Sequence, residues 1–351
     1  MKAYLVAPLM VVLLVACSWN SSFAQEEKIS EQHLFASAMT LSQKRDYNNA
    51  LKALDALVEE GKAMRPSALL LRARVFYEQS QFEKAVNDYQ LYFEDYGKTK
   101  RSEIYINYAA ALSKNGDFDK ALAQFETALA LEPEKTEIFI QKGLFYKEYE
   151  MFDEALEAFE TAGKKGHPKL VVHKEKANIY LEMGEKRKAI AEHNKALEID
   201  PTFETSLMML GRLNFEIEDY QRSIEYYTRA IQQDKSSVFA YYNRAISHFF
   251  FKNYDECIED MHQVLKEKED VLGAHFYLGA AYERKQVLNA AYEHMEEFVK
   301  FKPDDAEGLF RAGRIAHNLG KAKEACEYWE RASSFGAEDK AKPLMNEHCQ
   351  F

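Results

Sequence analysis

A chain of 351 residues, 47% hydrophobic and 29% charged, has room for two or three ordinary domains and enough apolar side chains to bury a sizeable core. With only 14 Gly and 7 Pro, it is poor in the residues that break helices. A net charge of -11 and the lack of any long Lys- or Arg-rich run exclude general nucleic-acid binding, which rests on neutralising phosphates.

The first 24 residues differ from the rest. Lys2 precedes residues 3–16, which are apolar apart from Tyr4 and Pro8. That run is too short to span a bilayer comfortably, so it reads as a secretory signal. Two processing sites stay open. Leu14-Val15-Ala16-Cys17 has the form of a bacterial lipobox, which would make 1–16 the signal and Cys17 a lipidated first residue. Ser22-Phe23-Ala24 before Gln25 has the small-x-small form of an ordinary cleavage site, which would make 1–24 the signal. Either route implies an extracytoplasmic protein, in the periplasm or at the outer membrane of a bacterium. Residues 25–30 are a short polar lead-in.

From Glu31 onward one pattern recurs, clearest in residues 102–135. Tyr105, Tyr108, Ala109 and Leu112 share one helical face, and Asn115-Gly116-Asp117 breaks the helix. A second apolar face follows at Ala121, Phe125 and Ala128, and Pro133 closes the unit. Further units start at Glu31, Pro66, Thr136, Leu170, Glu204, Val238, Leu272 and Ala306, at intervals of 35, 36 and then 34 residues.

This pattern resembles the tetratricopeptide repeat, and the resemblance covers 31–337, about nine-tenths of the chain. It implies an all-α fold: an α-solenoid of about nine repeats, each an antiparallel helix pair, wound into a right-handed superhelix. Residues 338–351 are expected to form a capping helix, because the last repeat would otherwise expose its face. The family's closest helix crossing needs small side chains at the eighth and twentieth positions of each unit. The eighth holds Ala38, Ala73, Ala109, Gly143, Ala177, Gly211, Ala245, Gly279 and Gly313. The twentieth holds Ala50, Ala85, Ala121, Ala155, Ala189, Ser223, Cys257, Ala291 and Ala325. The bulkier twenty-fourth position varies, and the fifth unit is the least regular, with His173, His193 and Lys186 where aromatics are usual. That unit is expected to be either the loosest link or a partner site.

No enzyme is expected, since there is no HExxH, CxxC, phosphate loop or nucleophile motif. No cofactor and no metal site are expected either; His173 and His193 read as core-edge histidines, and Cys257 as a buried thiol packing like a larger Ala. In the family, the first helix of each unit lines a groove, chiefly through its second, fifth, ninth, twelfth and thirteenth positions. Carried over, this gives a polar first half (Gln43, Arg74, Glu78, Lys114, Lys147, Glu148, Lys174, Asn178, Glu182). An aromatic second half follows at Met208, Phe215, Phe239, Tyr242, Ile246, Phe249, Phe250 and Phe276. The carboxylate clamp of the family's co-chaperones is incomplete: Lys174 and Asn178 match, but Met209, Phe239 and Asn243 stand where Asn and two basic residues are wanted.

The resemblance therefore implies a non-catalytic protein-protein interaction scaffold or adaptor of the cell envelope, binding a protein or peptide in the aromatic half of the groove. Alternatives are a carrier or sensor of a small apolar ligand or lipid, or a structural homodimer. Antiparallel packing between neighbouring units pairs positions summing to about thirty-one, which sets Cys326 beside Cys349 if the tail continues the register; a disulfide is expected there, against two free thiols.

Overall fold

The computed structural model describes residues 30–60, 63–166 and 168–349. The signal region and Cys17 therefore lie outside the described residues. No strand occurs among the described residues. One compact unit ends at Lys165 and contains α1 (Glu31–Gln43), α2 (Tyr47–Glu59), α3 (Arg65–Glu78), α4 (Phe82–Tyr96), α5 (Ser102–Lys114), α6 (Phe118–Leu131), α7 (Thr136–Glu148) and α8 (Phe152–Lys164). The other begins at Gly166 and contains α9 (Lys169–Glu182), α10 (Lys186–Ile199), α11 (Glu204–Glu216), α12 (Tyr220–Gln233), α13 (Val238–Phe250), α14 (Tyr254–Glu267), α15 (Leu272–Arg284), α16 (Leu288–Phe301), α17 (Ala306–Asn318), α18 (Ala322–Ala332) and α19 (Glu338–His348). Among the described residues, the first eighteen helices form nine consecutive antiparallel pairs, each starting within one residue of a repeat start read above.

The helix crossing explains the small residues. Every side chain at the eighth and twentieth positions is buried. The glycines among them are matched to bulk at the twenty-fourth position. A Cβ on Gly143 would stand 2.9 Å from the Phe159 ring, on Gly211 2.7 Å from Tyr227, and on Gly313 2.5 Å from Trp329. On Gly279 it would meet Met295 at 2.9 Å. Where the eighth residue is Ala, the twenty-fourth is Leu54, Tyr89, Phe125, His193 or Met261. In the four glycine repeats the eighth and twenty-fourth positions thus share one volume.

The turn within each pair is also uniform. The fifteenth residue has positive φ in all nine repeats: Gly116, Gly184 and Gly320, but also Arg45, Ser80, Glu150, Glu218, Lys252 and Gln286, with φ between 57° and 86°. The next N–H then reaches back to the carbonyl five residues earlier, as Asp117 does to Leu112 at 2.9 Å and Asn253 to His248 at 2.9 Å. This closes orphan carbonyls at the helix end.

Buried charges fix the pairs further. Arg72 donates twice to Asp88, at 2.8 and 2.7 Å, and once to Asp55 at 2.8 Å; Asp88 is 1% exposed. Arg244 repeats the fork on Asp260, at 2.8 and 2.7 Å, and also donates to Thr228. Both pairs join the seventh and twenty-third positions. In the fifth repeat the twenty-third residue is Glu192, which takes His173 Nδ1 at 2.6 Å and Lys195 at 2.8 Å, with Lys176 at 3.8 Å. An ionic cluster thus stands in the repeat whose usual aromatics are missing. His193 is fully buried, with Nδ1 on Ser206 Oγ at 3.0 Å and Nε2 without a partner.

After α18 a π-turn at Ser333–Ala337 carries Gly336 at φ 111° and leads into α19. Leu344 and Met345 of α19 pack against the cluster around Trp329. The Cys326 and Cys349 sulfurs are bonded, with Cα atoms 5.8 Å apart.

Two stability predictions follow from this geometry. Gly313→Ala, although a better helix former, should destabilise by about 1–3 kcal/mol through overpacking against Trp329. Lys252→Gly should stabilise by about 0.5–1 kcal/mol by relieving a left-handed side chain. Denaturant unfolding of both variants checks the two signs. Burial lowers the His193 pKa from 6.5 to about 4. The unfolded chain then binds the proton first, so stability is full above pH 6.5 and falls as pH drops towards 4, by about 3 kcal/mol at most for this residue. Urea titrations across that window should show the loss, and His193→Leu should reduce it.

Candidate partner-binding surfaces

In the unit beginning at Gly166, the aromatic side chains named from the sequence, except Phe239, join through neighbouring tyrosines into a connected set of rings. Phe215 meets Phe250 edge-on at 5.4 Å, and Phe250 stacks on Tyr220 at 5.7 Å. Phe249 contacts Phe250, Tyr254 at 5.7 Å and Tyr277 at 5.5 Å, and Tyr242 reaches Tyr277 at 6.2 Å. Phe276 joins through Tyr277 but turns towards Phe298 at 5.2 Å, beneath the Arg311 guanidinium at 5.6 Å. Edge-to-face pairs of this kind contribute about 0.5–1.5 kcal/mol each beyond area burial. Met208, Phe215, Tyr242, Ile246, Phe249 and Phe276 are half-buried, so much of the expected open patch is packing between repeats.

What remains open is narrower. Phe239 is 57% exposed and Phe250 46%, and Phe251, which the sequence reading missed, is 45% exposed at the end of α13. Tyr277 was also missed. It sits at the sixth position, outside the family's groove positions, yet it links Tyr242, Phe249 and Phe276; burial pushes its phenol up to about 12.

The polar side chains of the unit ending at Lys165 line cavities instead. One of about 380 Å³ is bounded by Arg74, Tyr77, Glu78, Glu103, Ile106 and Lys135, among others. A second, of about 310 Å³, is bounded by Lys114, Lys147 and Glu148, with Lys114 paired to Glu148 at 2.8 Å. A third, of about 440 Å³, takes Gln43, Arg74 and Glu78.

Cys257 is fully buried, and burial pushes its thiol up to about 12, which leaves it a packing group. Among the described residues, no three or more His, Cys, Asp or Glu side chains form a ready metal-ligand set, and no helix is long and apolar enough to cross a membrane.

Tetratricopeptide repeat models match residues 35–95, 102–135, 175–203 and 204–237, in the same register as the helix pairs. The chain is a tetratricopeptide repeat protein. Such repeats generally serve as non-catalytic scaffolds that bind other proteins. Among curated relatives, human Superkiller complex protein 3 is 23% identical over 310 residues, 85% of this chain and 19% of the relative. Human Protein O-mannosyl-transferase TMTC3 is 23% identical over 249 residues, 65% of this chain and 27% of the relative. The chain thus spans about a fifth to a quarter of these relatives' length. The solved C-terminal part of a repeat protein from Cytophaga hutchinsonii is 20% identical, covers 70% of this chain and 99% of its own, and superposes with a TM-score of 0.55. That likeness concerns the fold.

Within this tetratricopeptide array the partial carboxylate clamp is also occupied from inside. Lys174 pairs with Glu175 at 3.0 Å, and Asn178 donates to the same carboxylate at 3.4 Å. Packed and open rings should separate in mutation. Tyr277→Ala should destabilise the unit beginning at Gly166 by about 2–4 kcal/mol, whereas Phe239→Ala should stay within about 0.5 kcal/mol. Thermal melts of the two variants measure the contrast.

Proposed function

We propose that this protein is a non-catalytic adaptor of the bacterial cell envelope that holds a protein partner on the aromatic face of the unit beginning at Gly166. The reading is carried by one observation: Phe250 and Phe251 stand exposed at the end of α13, Phe250 on rings that are already interlocked, and Phe239 stands exposed at the start of the same helix. Covering one such side chain is worth about 1.5–3 kcal/mol, and a few large anchors usually dominate an interface. Because the supporting rings are held in place, little ordering entropy opposes association. Ring-on-ring packing favours a flat protein contact over a small apolar ligand or lipid enclosed among the rings. The cavities lined by Arg74, Glu78 and Lys114 offer a separate surface suited to polar peptide segments.

Export is supported by residues 1–24, read as a signal, and by the Cys326–Cys349 bond, which persists in oxidising compartments. Processing at Cys17 would add a lipid anchor, and processing before Gln25 would leave the protein soluble in the periplasm.

The test is a photo-crosslinker placed at position 239 in cells, with the captured proteins identified. A distinct envelope protein should be captured, and Phe250→Ala with Phe251→Ala should abolish its capture while helicity is kept. Undiminished capture by that variant, or crosslinks only to a second copy of this chain, would contradict the adaptor reading.

A further inference from the structure

Three histidines from the seventh and eighth repeats meet at positions outside the groove set. His262 lies on α14 at the twenty-fifth position, His275 on α15 at the fourth, and His294 on α16 at the twenty-third. The Nδ1 atoms of His275 and His294 are 3.2 Å apart. The His262 ring is centred 5.9 Å from that of His294, and its Nε2 lies 3.2 Å from the Tyr282 hydroxyl. Tyr282 in turn lies parallel to His294, with ring centres 5.8 Å apart. Glu297 follows His294 by three residues on α16, with its charge acting on His275.

A hydrogen bond between two ring nitrogens needs one donor and one acceptor, so at least one ring carries no charge. The same separation suits another occupant. Two nitrogens on one tetrahedral ion, with bonds of about 2.0–2.1 Å, stand about 3.3–3.4 Å apart. An ion seated off the line between them could therefore replace the shared proton at this separation, each ring tilting to aim its lone pair at it. We propose that His275 and His294 chelate a divalent transition-metal ion, with His262 swinging in as third ligand and tying α14 to α15 and α16. His262 is exposed and would give up its Tyr282 contact to turn in, since no three-ligand set is already in place among the described residues. Imidazole donors select zinc, nickel or copper over calcium or magnesium. Because α15 carries both His275 and Tyr277, the bound ion would hold the helix that links the rings of the aromatic face.

Titration of the full chain with zinc chloride and with nickel chloride, followed by calorimetry and thermal melting, tests the site. Saturable binding and a raised melting temperature are expected, since an ion that binds only the folded state stabilises it. His275→Gln and His294→Gln should each weaken binding at least about tenfold, while His33→Gln leaves it unchanged. Unchanged affinity in both site variants, or no binding of either metal, overturns the proposal. Should a variant lose its helical far-ultraviolet signal, peptide mapping of the unsubstituted protein decides. Zinc-dependent protection of His275 and His294 from diethyl pyrocarbonate supports the site, and equal modification with and without zinc overturns it.

Discussion

Everything in this molecule depends on how closely two helices can cross inside each repeat. The eighth and twentieth positions hold nothing larger than Cys257, and the twenty-fourth supplies the bulk that fills what they leave. Where that bulk is Phe159, Tyr227, Met295 or Trp329, the eighth residue is glycine, and an added Cβ would fall under 3.0 Å from it. Interiors packed at crystal-like density leave no slack for such an atom. The constraint is local, but repetition turns it into an architecture: each pair closes on itself and then presents its outer faces to its neighbours.

Much of this was legible because small residues are informative at fixed spacing. Ala109 and Ala121 mark a crossing wherever the twelve-residue interval recurs. The left-handed turn was only partly legible, because Gly116 announces it while Glu150 and Lys252 adopt the same conformation without announcing it. The Arg72–Asp88 and Arg244–Asp260 forks were missed because Arg and Asp sixteen residues apart look like ordinary surface charge. They join only when two helices fold antiparallel. Glu192 was hidden for the same reason, and with it its contact to His173 in the fifth repeat.

The candidate surfaces were legible in composition but not in exposure. An aromatic residue at a groove position can face a partner or a neighbouring repeat, and sequence spacing does not separate these. Phe239 and Phe250 face outward; Phe276 turns beneath Arg311 against Phe298. Tyr277 escaped notice because it sits one residue beyond a groove position. His275 and His294 escaped because nineteen residues separate them until the two helices of the eighth repeat fold antiparallel, and His262 because it joins them across a repeat boundary. Spare exposed phenylalanine on a frame fixed by its own crossings is what makes a binding role physically reasonable.

The shared volume of the eighth and twenty-fourth positions is tested most directly by a double-mutant cycle on Gly313→Ala and Trp329→Leu, read by urea unfolding. If the two side chains occupy one space, Gly313→Ala should be far less harmful beside Leu than beside Trp, with a coupling of about 1–3 kcal/mol. Effects that add within about 0.5 kcal/mol would contradict it.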